Sequence, residues 1–258
     1  MCSMHVDLIL SVTLLLVIVA GTAGAATIIV DDDWVGADYQ DIQSAIDAAS
    51  DGDTILVYDG AYSESLIVNK SVTIQGNGSA TVKVDAGGTG DGINITADNV
   101  TISGLNATNG GQHGIVAWHV GNTTITACSA VGNGLSGIEI NASDNVTLSG
   151  NNISRNVDGI LLHESSNVRI SESWIFNNTR PAMDRWNDGI RLTGDLSNIW
   201  IGGNWIFRND YGIDAYAYNL SLTGLTAFSN QIWGQRFEGV HMEYTRDSRL
   251  NANTIMGN

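Results

Sequence analysis

From Asp91 onward, apolar positions recur in a fixed frame. Each unit reads Gly-Ile-x-Ile, a short polar turn, Asn-Val-Thr-Ile-Ser-Gly-Asn, one further apolar residue and another Asn. The opening glycines are Gly92, Gly114, Gly137, Gly159, Gly189, Gly212 and Gly239. Four of the six intervals are 22 or 23 residues, and the other two are 30 and 27. Inside a unit the apolar residues alternate with polar ones, the period of a half-buried strand, and three such strands fit per unit. One unit cannot bury its own apolar side, but a stacked neighbour can.

The predicted fold is therefore all-β: a right-handed parallel β-helix with three-stranded coils of about 22-23 residues. Inward positions of the first strand are Ile93/Ile95, Ile115/Ala117, Ile138/Ile140, Ile160/Leu162, Ile190/Leu192, Ile213/Ala215 and Val240/Met242, apolar at every step. Turn residues Asn122, Asn145, Asn167, Asn198, Asn219 and Asp247 are each followed eleven positions later by Asn133, Asn156, Asn178, Asn209, Asn230 or Asn258. Asn99 and Asn109 are one residue closer. Stacking would turn these amides into hydrogen-bonded ladders at the corners. Before the repeats, strands are expected at Ile28 to Val30, Thr54 to Val57, Leu66 to Val68 and Val72 to Ile74. Asp41 to Ser50 reads as an amphipathic helix with Ile42, Ala45, Ile46 and Ala49 on one face, suited to capping the first coil.

Composition narrows the setting. The chain has 27 Asp and Glu against 11 Lys and Arg, so a phosphate backbone would be repelled and nucleic acid is not an expected partner. Residues 1-25 read as a secretory signal, with an apolar run from Leu8 to Ala20 and small residues Ala23-Gly24-Ala25 before the cut. Residues 26-90 form the cap and first coils, and 91-258 the repeat array. A secreted, cell-surface or periplasm-like location is expected, with no membrane span after cleavage; an uncleaved N-terminal membrane anchor is the competing reading. Cleavage leaves Cys128 alone, so no internal disulfide forms and the thiol is expected to be a small buried hydrophobe. The chain stops at the close of a coil with no capping helix, which reads either as a fragment or as an end that pairs with something else. A monomer is expected.

The segment Tyr39-Gln40-Asp41-Ile42-Gln43-Ser44-Ala45-Ile46-Asp47-Ala48-Ala49 resembles the capping helix of pectin-lyase-like β-helix proteins. Gly52-Asp53-Thr54-Ile55-Leu56-Val57 and Lys70-Ser71-Val72-Thr73-Ile74-Gln75-Gly76 continue the likeness, and coils such as Asp158-Gly159-Ile160-Leu161-Leu162 are similar to NosD-type repeats. The resemblance implies the fold. It leaves activity open, because the superfamily includes lyases, esterases, epimerases and copper-accessory proteins. Tyr211-Gly212-Ile213-Asp214 resembles the start of the Tyr-Gly-x-Asp-Pro-His motif of mannuronan C5-epimerases, whose Tyr, Asp and His take part in proton transfer at the sugar. Here Ala215 and Tyr216 replace the Pro and His.

The outward side of each strand is where ligands would meet the molecule. On the middle strand, Thr101, Thr124, Thr147, Ser149 and Ser221 make a plain wall. On the first strand, one column runs Asn94, Val116, Glu139, Leu161, Arg191, Asp214, His241, and the next Thr96, Trp118, Asn141, His163, Thr193, Tyr216, Glu243. Arg191, Asp214, Tyr216 and His241 are the candidate catalytic residues: an Arg can pair with a sugar carboxylate, and the others can move a proton. The competing reading is a solvated charged wall in which Arg191 and Asp214 merely pair. Trp118, His163, Arg185, Trp186, Tyr211, Trp233, Arg236 and Glu243 are candidate substrate contacts. The two long repeats are expected to add their residues just before a first strand, placing Arg185, Trp186, Trp233 and Arg236 on the rim of that wall. No cofactor is predicted. Copper through the NosD likeness and calcium through Gly87-Gly88-Thr89-Gly90-Asp91 are the weak options, and the histidines form no ligand cluster in sequence. Three functions stay open: a binder of polysaccharide or cell-surface glycan along the first-strand face, a lyase or C5-epimerase-like enzyme, and a NosD-like copper-accessory or structural surface protein.

Overall fold

The computed structural model describes residues 24–179, 187–216 and 221–258. Its strands form three sheets of parallel ladders, and the chain winds right-handed. Consecutive coils pair in register, as in Ile138↔Ile160, Ile160↔Ile190 and Ile190↔Ile213. Equivalent side chains therefore stack about 4.8 Å apart. The inward first-strand residues from Ile93 to Ala215 are fully buried, and Val240 and Met242 pack against the core from a partly buried position. Cys128 is buried among them, and burial pushes its thiol up to about 11. The opening glycines are needed because backbones touch: a Cβ on Gly159 would overlap the Gly189 carbonyl and the Ile175 and Asn178 side chains. Among the described residues no helix is long and apolar enough to cross a membrane.

The capping helix is shorter than expected, Ile42–Ala48. Asp41 caps it by accepting from Ser44 N, and Glu64 accepts from the Ile42 and Gln43 amides at 2.8 and 3.0 Å. Ile42, Ala45, Ile46 and Ala49 are buried against the first coil, as the pattern required. Two strands were not anticipated, Gly60–Tyr62 and Val82–Asp85, which open the third-strand sheet.

Two of the asparagine series form the ladders. The turn residues Asn99, Asn122, Asn145, Asn167 and Asn198 are exposed, with φ between 53 and 59°. Asn122 and Asn145 each donate to the amide one coil earlier, at 3.1 and 2.6 Å. Asn133, Asn156, Asn178 and Asn209 form a buried ladder, each Nδ2 donating to the next Oδ1 at 3.0–3.1 Å. The register corrects two assignments. That ladder passes through Gln235 to Asn258, not through Asn230. Asn230 belongs to a separate buried ladder with Asn204 and Asn253. The cause is three extra residues between Tyr216 and Leu222: the interval between neighbouring coils is 23 at Asn187–Asp210 but 26 at Asp195–Ser221. The equivalent turn position is then Gly224, at φ 68°, rather than Asn219. Similarly Gly110, not Asn109, donates its amide to Asn133, and Asn109 turns outward to Asp85.

Candidate functional site

Strands Asp158–His163, Asp188–Thr193, Tyr211–Tyr216 and Val240–Glu243 lie side by side. Their pairing sets Leu161, Arg191, Asp214 and His241 in one outward column over four coils. His163 pairs with Thr193 and Tyr216 with Glu243 in the neighbouring column. Three of the four catalytic candidates are thus contiguous, and Tyr216 stands beside Asp214, half exposed and edge-on to Tyr244.

The chemistry concentrates on His241. Its Nδ1 donates to Asp214 Oδ1 at 2.7 Å, and its Nε2 lies 3.4 Å from Glu243 Oε1. The Asp214 hydrogen bond raises the imidazole above its ordinary pKa against the opposing effect of burial, and the Asp214 charge, a Glu243 hydrogen bond and the Glu238 charge add to it. His241 is therefore held toward the cationic form. Arg191 Nη1 lies 3.8 Å from Asp188 Oδ2.

Asp188 was missed as a site residue, and so was Asp158. They occupy adjacent coils at the start of the first strand, both fully buried, and the Asp188 amide donates to Asp158 Oδ1 at 3.1 Å. Burial, then the neighbouring Asp158, push the Asp188 carboxyl up to about 8. A neutral Asp188 does not cancel the Arg191 charge at neutral pH. The sequence signal was the Asp that precedes the opening glycine in Asp158-Gly159 and Asp188-Gly189. Tyr211 follows in the same column, its ring 5.5 Å from the His241 ring and 5.4 Å from Phe237. Burial and the carboxylates of Glu238, Asp214, Asp188 and Asp210 raise its phenol. This corner thus presents the Arg191 guanidinium, the His241 imidazole held toward its cationic form, and the Tyr211 phenol. All are hydrogen-bond donors, set against the acceptors Asp214 and Glu243.

The other substrate-contact candidates separate. Trp118 is exposed on the same wall but pairs with Asn141, four coils before Tyr216. His163 binds Thr193 Oγ1 at 3.0 Å and lies 3.5 Å from Glu164. Arg185 and Trp186 lie outside the described residues. Arg236 reaches Asp210 at 3.7 Å and covers the Phe237 ring at the corner before the wall. Trp233 is a correction. It sits in a third strand, Gln231–Trp233, stacked on Phe207 at 4.5 Å, and does not rim the first-strand wall. Most of the second insertion falls after the first strand, where the coil interval widens from 23 to 26, and only one residue is added before His241 pairs with Asp214 at 27. The first insertion does fall where expected, between Asn178 and Asp188: the interval is 22 at Asn156–Asn178 and 30 at Asp158–Asp188.

The middle-strand wall also differs from expectation. Its outward column continues from Thr147 into Arg169 and Trp200. As for metals, the one grouping of three potential ligands among the described residues is Asp31, Asp32 and Asp33, near the cap and without a histidine. His113 is committed to Glu139 at 2.8 Å.

Comparison with known proteins agrees with this architecture. A cell surface glycoprotein of Methanothermus fervidus is 37% identical over 120 residues, which is 46% of this chain and 20% of the relative. The chain therefore matches about a fifth of that protein's length. Among solved structures, pectate lyase Pel9A superposes with a TM-score of 0.69 at 14% identity, over 92% of this chain and 78% of the enzyme. The alginate lyase of Paenibacillus sp. str. FPU-7 gives 0.60 at 14% identity, over 90% of this chain and 97% of the other. The periplasmic alginate epimerase AlgG gives 0.62 at 17%, over 83% and 52%. At these identities the likeness is one of fold. The model of the right handed beta helix region matches residues 49–184 and 91–255, and the chain belongs to that family.

Proposed function

We propose that this chain is a cell-surface β-helix module that binds an acidic polysaccharide along its first-strand wall. The reading is carried by one observation: Arg191, Asp214 and His241 occupy three successive coils, with His241 fixed to Asp214 at 2.7 Å. A sugar chain lying along the axis would meet Arg191 as a carboxylate fork and His241 as a second cation, with Asp214 and Glu243 to accept hydroxyls. The cell surface glycoprotein relative supports the location, and neighbours named for pectate and alginate support the ligand class.

The test is retention on immobilised polygalacturonate or alginate. Arg191→Ala with His241→Gln is expected to weaken binding at least about tenfold, the loss of roughly one charge-assisted contact, while the melting curve stays two-state. Equal retention of wild type and the double variant sinks the reading. Because Asp214 raises His241 from its ordinary value, the imidazolium is favoured more than in a free histidine and is lost as pH climbs through the raised value. Affinity should fall in that direction.

A second reading is favoured by one detail. The epimerase-like motif lacks its His at Tyr216, yet an imidazole reaches Asp214 from the next coil, with the Tyr211 ring beside it. Tyr211 and His241 could then exchange a proton with a bound uronate. Unsaturated or epimerised sugars after incubation would establish it, and retention without product would leave the binder.

A further inference from the structure

We propose that the middle-strand wall carries a second glycan contact, a shelf formed by Arg169 and Trp200 that holds the oxyanion of an acidic sugar. The ligand class rests on the polysaccharide reading above, and the site does not.

The wall runs Thr101, Thr124, Thr147 in one outward column, then changes to Arg169, Trp200 and Thr226. Arg169 Cζ lies 3.5 Å from the centroid of the Trp200 ring. The indole lies over its own strand, because Gly202 leaves the space: a Cβ there would overlap the six-membered ring. Trp200 is thus a flat seat and the guanidinium is stacked on it, which fixes the plane of the fork and lowers the entropy lost when it binds. Arg169 is exposed, and among the described residues no carboxylate lies within ion-pair distance of it. Its donors are therefore available to a ligand.

The shelf opens into a groove of about 440 Å³ lined by Asn122, Asp144, Asn145, Asn167, Arg169 and Trp200. The turn ladder supplies a row of amides, two of them already joined by the Asn145–Asn122 hydrogen bond of 2.6 Å. Each bonded amide keeps a second N–H and a second lone pair for the groove. At the corner end, Asp144 Oδ1 accepts from Ser166 Oγ and Asn167 Nδ2. Its other oxygen can accept a sugar hydroxyl. The groove therefore offers an acceptor at one end, amides along it and a planar cation at the other. A neutral sugar would leave the guanidinium unpaired, and a bare anion would leave Asp144 opposed. A sugar bearing both hydroxyls and a carboxylate or sulfate uses all three.

The test follows the Trp200 indole N–H by NMR in an Arg191→Ala/His241→Gln background, where the first-strand wall is disabled. The resonance is assigned by its loss in Trp200→Phe. Titration with tri-galacturonate or sulfated dextran oligomers should move it saturably, and the stronger of the two tells carboxylate from sulfate. Arg169→Gln should weaken that response at least tenfold, and Arg169→Lys, which cannot form the fork, should not restore it. Maltotriose should not move the peak. The inference is overturned if neither acidic oligomer shifts the resonance, if maltotriose shifts it equally, or if Arg169→Gln responds like its parent. The first-strand reading fails separately, through unchanged retention of the Arg191→Ala/His241→Gln chain.

Discussion

The third-strand and first-strand walls are built on the same coils, yet one spends its side chains on itself and the other does not. On the third strands, Trp174 stacks on Trp205 at 5.0 Å and Phe176 on Phe207 at 4.9 Å, with Trp233 continuing the stack at 4.5 Å. The ring planes differ by 14° or less. These rings cover each other's faces because a stack repeating about every 4.8 Å brings like residues to near contact distance. The buried Asn ladder follows the same logic, each amide satisfying the next. On the first strands the column changes identity at each step, through Leu161, Arg191, Asp214 and His241. Of these, Asp214 and His241 form a polar pair across neighbouring coils, and the column keeps hydrogen-bonding capacity on its outer side. In a solenoid, columns of like residues hold the coils together, and columns of unlike residues are where a ligand finds chemistry.

Three experiments break or sharpen that contrast. The largest effect is expected from Ile160→Asp, which puts a carboxylate at a fully buried position of the like-residue core. The cost is several kcal/mol, a large share of the stability of an ordinary domain, and the coils around it should become protease-sensitive. A soluble, protease-resistant variant would contradict the assignment. Next is Asp188→Asn. Burial and Asp158 keep the Asp188 carboxyl protonated up to about 8 in the folded chain, whereas the unfolded chain releases that proton near 3.8. The folded state binds more protons between those values, so wild-type stability falls as pH rises across the window and levels off above it. The variant should lack this decline and gain up to a few kcal/mol over wild type at pH 9. Parallel melting-temperature profiles from pH 4 to pH 9 would remove the buried proton. The smallest effect is Phe207→Ala, which opens the middle of the aromatic stack. A loss of about 1–3 kcal/mol in stability is expected, with retention on acidic polysaccharide unchanged. Lost retention without lost stability would move the third-strand wall from scaffold to binding surface.

Much of this was legible in the chain. The Gly-Ile-x-Ile frame placed the core and the Arg191–Asp214–His241 column, because period-two alternation and coil length fix which residues face in and which stack, while the right-handed winding came with the family resemblance. Where coil lengths change, the reading slipped. Asn219 and Asn230 kept an eleven-residue spacing by coincidence, and Trp233 was assigned to the rim, because a linear sequence does not say on which side of a strand extra residues are inserted. The Arg169–Trp200 shelf was passed over because the Thr and Ser around it made the wall look uniform.

The sequence by itself determined the solenoid, its capped start, its dry interior and the columns of its first strands, since each follows from periodicity and burial. Only the tertiary structure decided what those columns do. The proton on Asp188 depends on Asp158 lying one coil away, and the His241 cation on Asp214. The Arg169 shelf depends on the space over Gly202. Each of these is an interaction between residues about two to three dozen positions apart, or a local shape the pattern does not encode, whose energy depends on distances that exist only once the coils are stacked.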